Sequence, residues 1–348
     1  MRLAPGIVYA LLAAVLFGAS TPLAKLLLGA VPPALLAGLL YIGAGAGLGT
    51  FRLLRPGAGG NEAPLGRADL PWLAGSVLAG GVAGPLLLML GLARIDAAAA
   101  ALLLNLEAVF TLAIAWLALG EGTDRRIVLG AGAILAGAGL LSWSGGPLAG
   151  PGWGSLAIAG ACLAWAIDNN LTRRLAAADP VALTIVKGLV AGSVNLLIGL
   201  LAGAAWPGLA VIAAALAVGL AGYGVSLVLF ILALRHLGTA RTGAYFSTAP
   251  FIGAFLAVLL LGEPATPLLA AAGALMAIGL WLHLSERHAH GHVHERLSHA
   301  HRHVHDPHHR HAHGPDDPPG EPHAHSHTHA PIAHSHPHHP DIHHRHAH

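Results

Sequence analysis

The chain has 348 residues, of which 55% are hydrophobic and only 10% charged, and its mean hydropathy is +0.65. Soluble domains carry about 25% charged residues, so this composition argues against an ordinary globular enzyme or a nucleic-acid-binding protein and points to a chain dissolved in lipid. The net charge of +2 hides a division: residues 1–285 hold 13 Lys and Arg against 9 Asp and Glu, whereas residues 286–348 hold 5 against 7 and 24 of the 26 histidines.

Taken in order, apolar runs fall at residues 7–29, 31–54, 70–92, 97–119, 126–143, 153–176, 181–202, 210–234, 240–261 and 266–284. Each is close to the ~20 residues a helix needs to cross ~30 Å of hydrocarbon. The first run is too long for the apolar part of a signal peptide and is read as a retained helix. The expected fold is an all-α membrane protein of ten transmembrane helices followed by a polar tail. With the N-terminus in the cytoplasm, the inner ends carry ten basic residues from Arg2 to Arg241 and the outer ends only Lys25 and Arg94. That bias places both termini in the cytoplasm, in a multi-pass protein of the inner or plasma membrane.

An internal repeat is visible. A shift of 142 residues lays Leu119-Gly120-Glu121 on Leu261-Gly262-Glu263, and a shift of 148 lays Ser20 on Asp168 and Lys25 on Arg173. Two units of five helices follow, residues 1–144 and 145–285, with residues 286–348 as a tail. An odd helix number makes the second unit enter from the opposite side, the inverted-repeat design of secondary transporters.

Ten spans in two five-helix halves, each with a fourth helix ending in Leu-Gly-Glu, resemble the EamA type of the drug/metabolite transporter superfamily. The stretch Leu104-Asn105-Leu106-Glu107, followed by Leu119-Gly120-Glu121, is close to that family's pattern. It departs at Ala108, where a proline is typical; the second half keeps Pro250 but has Ala249 in place of the acid. The resemblance covers roughly residues 5–285. It implies a proton- or gradient-driven carrier, often an exporter, with its site between the two halves.

Several polar residues stand inside apolar runs. Glu107 lies too deep for its short side chain to reach an interface, which makes it either a proton- or cation-coupling acid or a carboxyl hydrogen-bonded between helices. Asn105 is near it in sequence. Asp168-Asn169-Asn170 cannot all face lipid and must either line a cavity or bond to neighbouring helices; together with Ser20-Thr21-Pro22 this trio is expected to interrupt the sixth and first helices at matching places, a pointer to a binding site. Lys187, some way into the seventh run, is expected either to snorkel or to pair with Asp168 or Glu107. Tyr223, Tyr245, Ser247 and Thr248 either offer hydroxyls to a ligand or pack between helices, and Glu121 and Glu263 sit at helix ends, where a solvated or capping role is expected. Glycines at 43, 45, 47 and 49 and at 130, 132, 137 and 139 supply small faces for tight crossings, within the chain or in a homodimer.

The tail alternates histidine with small residues: His288, His290, His292 and His294; His299, His301, His303 and His305; His323, His325, His327 and His329. Neighbouring imidazoles of such a run can converge on Zn, Ni, Co or Cu. With Pro and Gly interspersed and few large apolar residues, the segment is expected to be disordered. Free imidazoles titrate near ~6.5, so a pH response is a further expectation.

No phosphate-binding glycine loop and no nucleophile–base arrangement appears, so ATP-driven transport and enzymatic chemistry are not expected, and no cofactor is required. The expected function is a secondary transporter, an exporter, of a small metabolite or drug working by alternating access. The alternatives are a transition-metal carrier and a membrane-anchored metal buffer using the tail.

Overall fold

The computed structural model describes residues 5–55, 66–119, 125–143, 152–172, 175, 179–237, 239–285, 288–294, 297–303, 323–329 and 332–338. Up to Ser285 the described chain is helical. The helices are α1 (Pro5–Leu27), α2 (Pro33–Leu54), α3 (Leu70–Leu92), α4 (Ala97–Leu103 and Leu106–Leu119), α5 (Arg125–Ser142), α6 (Trp153–Thr172), α7 (Pro180–Leu201), α8 (Leu209–Gly219, Leu220–Val225 and Ser226–Leu237), α9 (Thr239–Phe246 and Ala249–Leu261) and α10 (Pro267–Leu284). Among the described residues nine helices are long and apolar enough to cross a membrane. The remaining one, α6, has 20 residues and carries Asp168, Asn169 and Asn170 near its end.

Helix boundaries follow local chemistry. Proline opens α2, α7 and α10, where its missing N–H is not needed. Asp179 caps α7 by accepting from the N–H groups of Val181 and Ala182 at 2.8 and 3.2 Å, and Thr266 accepts from Leu269 at 3.1 Å at the start of α10. Gly262 ends α9 with φ at 67°, a left-handed turn that costs glycine little. The turn brings Glu263 back so that its two oxygens accept from the N–H groups of Ala97 and Ala98, each at 2.7 Å. A carboxylate at the start of α4 meets its unpaired donors and the positive end of its dipole.

The packing units are not the two halves of the sequence. Helix α1 lies against α8 and α9, and α6 lies against α3 and α4; α2 crosses α7, α5 crosses α10, and α9 also meets α4. Renumbering every helix by five leaves this pattern unchanged. At the α2–α7 crossing the backbones nearly touch, and a Cβ on Gly45 would stand 2.8 Å from the nitrogen of Leu189. In lipid, such close approach supplies the dispersion contacts that hold helices together. Gly130 and Gly137 of α5 play the same part against α10, whereas Gly132 and Gly139 face open space.

The expectation that α1 and α6 are interrupted is overturned, because both run unbroken through their polar residues. The polar groups satisfy themselves without opening the backbone: Ser20 Oγ donates to Phe17 O at 2.6 Å and Asn170 Nδ2 to Ala166 O at 2.9 Å. The irregularities lie elsewhere, in two corresponding pairs. Residues Val77–Ala83 of α3 and Leu220–Val225 of α8 are π-helical, while α4 breaks at Leu104–Asn105 and α9 at Ser247–Thr248. Pro250 accounts for the second break. The first has no proline; Asn105 Nδ2 donates to Leu102 O at 2.8 Å, and Cys162 of α6 donates from Sγ toward the carbonyls of Leu103 and Leu104 at 3.6 and 3.9 Å.

In the tail, the described backbone pairs as two antiparallel ladders, β1 (His288–His294) with β4 (Ile332–His338) and β2 (Leu297–His303) with β3 (His323–His329). The composition leads to an expectation of disorder, but the alternation of histidine with other residues also has the period of a strand. Two-stranded ladders by themselves contribute little stability in water.

Candidate functional site

The site begins with a defect in α3. In its π-helical stretch the N–H of Gly84 reaches back five residues to Ala79 O. The next nitrogen, due at Gly80 O, belongs to Pro85 and carries no hydrogen. That carbonyl is instead met by side chains from two other helices: Tyr41 Oη of α2 donates at 2.8 Å and Trp165 Nε1 of α6 at 2.9 Å. Asn195 of α7 donates likewise to Gly81 O at 3.2 Å. A local irregularity therefore gathers α2, α6 and α7 around one point, a common use of π-helical turns.

Asp168 packs directly on this stretch and is only 6% exposed. A Cβ on Gly80 would fall 1.9 Å from Asp168 Oδ2, so the carboxylate occupies the space a side chain would fill. Its Oδ2 pairs with the ammonium of Lys187 from α7, and its Oδ1 accepts from Ser76 of α3 and, at 3.1 Å, from Thr172. A buried charge is tolerable when paired and fully hydrogen-bonded, and Asp168 meets both conditions. Just past the break in α4, Glu107 Oε1 accepts from Asn169 Nδ2 at 2.8 Å.

These groups line one cavity of about 620 Å³. Its two walls differ in chemistry. The polar wall comes from α3, α4, α6 and α7: Ser76, Glu107, Asp168, Asn169, Thr172 and Lys187. The aromatic wall comes from α1, α2, α8 and α9, with Phe17, Tyr41, Tyr223, Phe230 and Phe246. The rings touch in series, Tyr41 to Tyr223 at 5.7 Å between centroids, Tyr223 to Phe17 at 5.9 Å, Phe17 to Phe246 at 5.4 Å and Phe246 to Phe230 at 4.8 Å.

The cavity lies toward one end of the bundle. Its lining takes in the early residues of α3 and α7 and the late residues of α6 and α8. At this end Arg52, near the end of α2, pairs with Asp179 at the start of α7, and Arg55, Arg67, Arg125 and Arg241 stand at helix ends. The opposite end is packed shut. Leu35, Leu36, Leu40, Leu88, Met89 and Leu92 are fully buried there, Lys25 Nζ donates to Leu92 O and Ile95 O at 2.7 and 2.8 Å, and Glu263 holds the start of α4.

A family model for EamA-like transporters matches residues 4–143 and again residues 152–285. The chain belongs to the EamA-like transporter family. It is also 29% identical over 300 residues to a protein of Methanothermobacter thermautotrophicus described as an uncharacterized transporter, a match covering 81% of this chain and 87% of that one. Its fold is similar to that of a protein of known crystal structure with a TM-score of 0.59 at 23% identity, over 81% of this chain and 96% of the other. Family and fold together make it a multi-pass membrane transporter.

Within this EamA-like chain, five residues singled out in the sequence meet at the cavity: Glu107, Asp168, Asn169, Lys187 and Tyr223. Ser20 is buried behind the aromatic wall, against Gly222. Asn105, Asn170, Tyr245 and Ser247 do not line the cavity. Asn105 and Asn170 bond to backbone within their own helices, Ser247 Oγ donates to Gly243 O at 2.6 Å, and it is Phe246 that reaches the cavity. Glu121 and residue 305 of the tail lie outside the described residues, and no tail side chain is described. Among the described residues, no group of three or more His, Cys, Asp or Glu is placed to hold a metal. Sequence reasoning missed Tyr41, Trp165, Ser76 and the ring series, although Pro85 inside an apolar run marks a carbonyl that some neighbouring donor must meet.

Proposed function

We propose that this protein is a secondary transporter, working as an exporter of a small organic metabolite or drug across the cytoplasmic membrane by alternating access. The observation that carries the reading is a cavity of about 620 Å³, within the ~300–1,000 Å³ range of ligand sites, holding charged side chains in an otherwise apolar bundle. It is lined toward one end and sealed at the other, as a carrier caught facing one side must be. The basic residues at its open end make that side cytoplasmic by the positive-inside rule, so the present state faces inward with both termini inside. The ten helices form two inverted five-helix repeats, which is why packing survives renumbering by five and why π turns and breaks recur in corresponding helices. Glu107 is the coupling acid. The described lining contains no imidazole and no thiol, which favours an organic solute over a soft transition metal.

The test is flux in proteoliposomes holding the full chain under an imposed pH gradient. Wild-type protein is expected to accumulate substrate against its gradient, and Glu107→Gln to abolish that accumulation while leaving downhill exchange. Gradient-driven accumulation that survives Glu107→Gln removes the coupling role, and absence of flux for every solute that binds removes the carrier reading.

A further inference from the structure

Only 5% of this chain is aromatic, yet Phe17, Tyr41, Trp165, Tyr223, Phe230 and Phe246 all line one cavity. That concentration points to a ligand, because the largest fully buried side chains of the bundle are Leu, Ile, Met, Val and Asn and none is aromatic. Among the described lining residues the charges do not balance. Of the described lining residues, Glu107, Asp168 and Lys187 are ionisable acids and bases. Asp168 and Lys187 neutralise each other, and both oxygens of Asp168 are already engaged. Glu107 has an amide, Asn169 Nδ2, on Oε1. An amide orients a carboxylate but does not neutralise it, and an uncompensated charge in a low-dielectric site is costly.

We propose, building on the carrier reading above, that the cavity binds solutes bearing an ammonium group on an apolar body of about ring size, with Glu107 as counter-ion and the aromatic wall as the seat of the body. A cation supplies the missing charge at Glu107. It also meets the negative faces of the rings, which attract ammonium groups and repel anions. An anionic solute would have to displace Asp168 from Lys187 and would leave that acid unpaired beside Glu107. The two walls thus read the two ends of one molecule: α4 and α6 the charge, and α1, α8 and α9 the apolar part.

The test uses the full-length protein in nanodiscs and titration calorimetry with phenethylamine, its trimethylammonium analogue, 2-phenylethanol, 3-phenylpropionate and phenylalanine. Both cations are expected to bind, and the alcohol and the anion at least about tenfold more weakly, the loss of one charge-assisted contact. Glu107→Gln is expected to weaken the cations by about 10- to 100-fold and to leave the alcohol unchanged. Phe246→Leu, which keeps every charge, is expected to weaken the cations by about 3- to 30-fold through the ring face, and it carries the test if the Gln variant does not fold. Equal binding of the anion or the alcohol overturns the proposal. So does binding of phenylalanine without binding of phenethylamine, because Lys187 would then be reading a carboxylate. Flux is scored separately: cation binding without flux overturns the carrier and leaves this site standing, whereas flux of an anion through the cavity overturns this site and leaves the carrier.

Discussion

Replacing Gly80 by alanine probes the junction on which the polar wall rests. An added Cβ would lie 1.9 Å from Asp168 Oδ2, 2.3 Å from Cγ and 2.6 Å from Cβ, so the whole carboxylate must move, not only the tip of a flexible chain. Overpacking of this kind costs about 1–3 kcal/mol. If Asp168 is driven off Lys187, a broken buried pair adds about 3–5 kcal/mol. Against this, alanine gains about 0.5–1 kcal/mol over glycine as a helix former. The net expectation is a loss of up to about 2.5 kcal/mol if the carboxylate shifts but stays paired, and of about 3–7 kcal/mol if it leaves Lys187. Gly132→Ala is the matched control, since nothing lies within 4 Å of its added Cβ, and it should be neutral or stabilising by up to about 1 kcal/mol. Both variants are compared by chemical unfolding in detergent and by solute binding at the cavity. If Gly80→Ala unfolds at the same denaturant concentration as Gly132→Ala and binds solute normally, then Asp168 is not held against the π turn and the account of the site is wrong.

Three further outcomes follow from contacts already described. Asp168→Asn and Lys187→Met should each destabilise by about 3–5 kcal/mol, because each leaves a buried charge alone, while the double variant should recover most of that loss in a double-mutant cycle; additive losses would mean the two groups do not interact. Glu263→Ala removes the acceptors for Ala97 and Ala98, at a cost of about 1–2 kcal/mol, and should speed amide exchange at the start of α4; unchanged exchange there would deny the cap. Deleting residues 286–348 removes 24 of the 26 histidines and should abolish binding of Zn, Ni, Co or Cu by the purified protein while solute flux persists; metal bound equally by the shortened chain would assign it to the membrane domain.

How much of this was legible beforehand depended on the scale of the signal. Helix positions were plain, because an apolar run of ~20 residues has only one way to satisfy its backbone in lipid. Glu107 and Asp168 stood out for the same reason, as costly groups far from water. The interruptions were misplaced because a run of polar residues reads as a weak point, yet Ser20, Asn170 and Thr172 turn their hydrogen bonds onto their own helix or onto Asp168 and leave the backbone intact. The break in α4 was hidden because its support comes from Cys162, 58 residues away in sequence from Leu104. The aromatic wall was hidden too: Phe17, Tyr41, Tyr223 with Phe230, and Phe246 are spread over four helices, and only packing brings them into series.

If the protein works by the alternating access proposed above, the mixing of the two halves decides what must move. Because α1 packs with α8 and α9, and α6 with α3 and α4, the sequence halves cannot separate as rigid bodies without tearing apart their main contacts. The natural bodies are the two mixed groups, and these carry the aromatic and the polar wall respectively. At the sealed end they are already joined where α9 meets α4, with Glu263 capping Ala97 and Ala98. At the open end the Arg52–Asp179 pair still joins α2 to α7, and the cavity lies between α8 and the start of α9 on one side and α3 and α6 on the other. Closing that end would bring Phe230 and Phe246 toward Asp168 and Asn169 and expel water from between rings and charges, which strengthens every electrostatic contact left inside. A solute with one charged and one apolar end would be gripped by both bodies at once, so the step that occludes it is also the step that its binding favours.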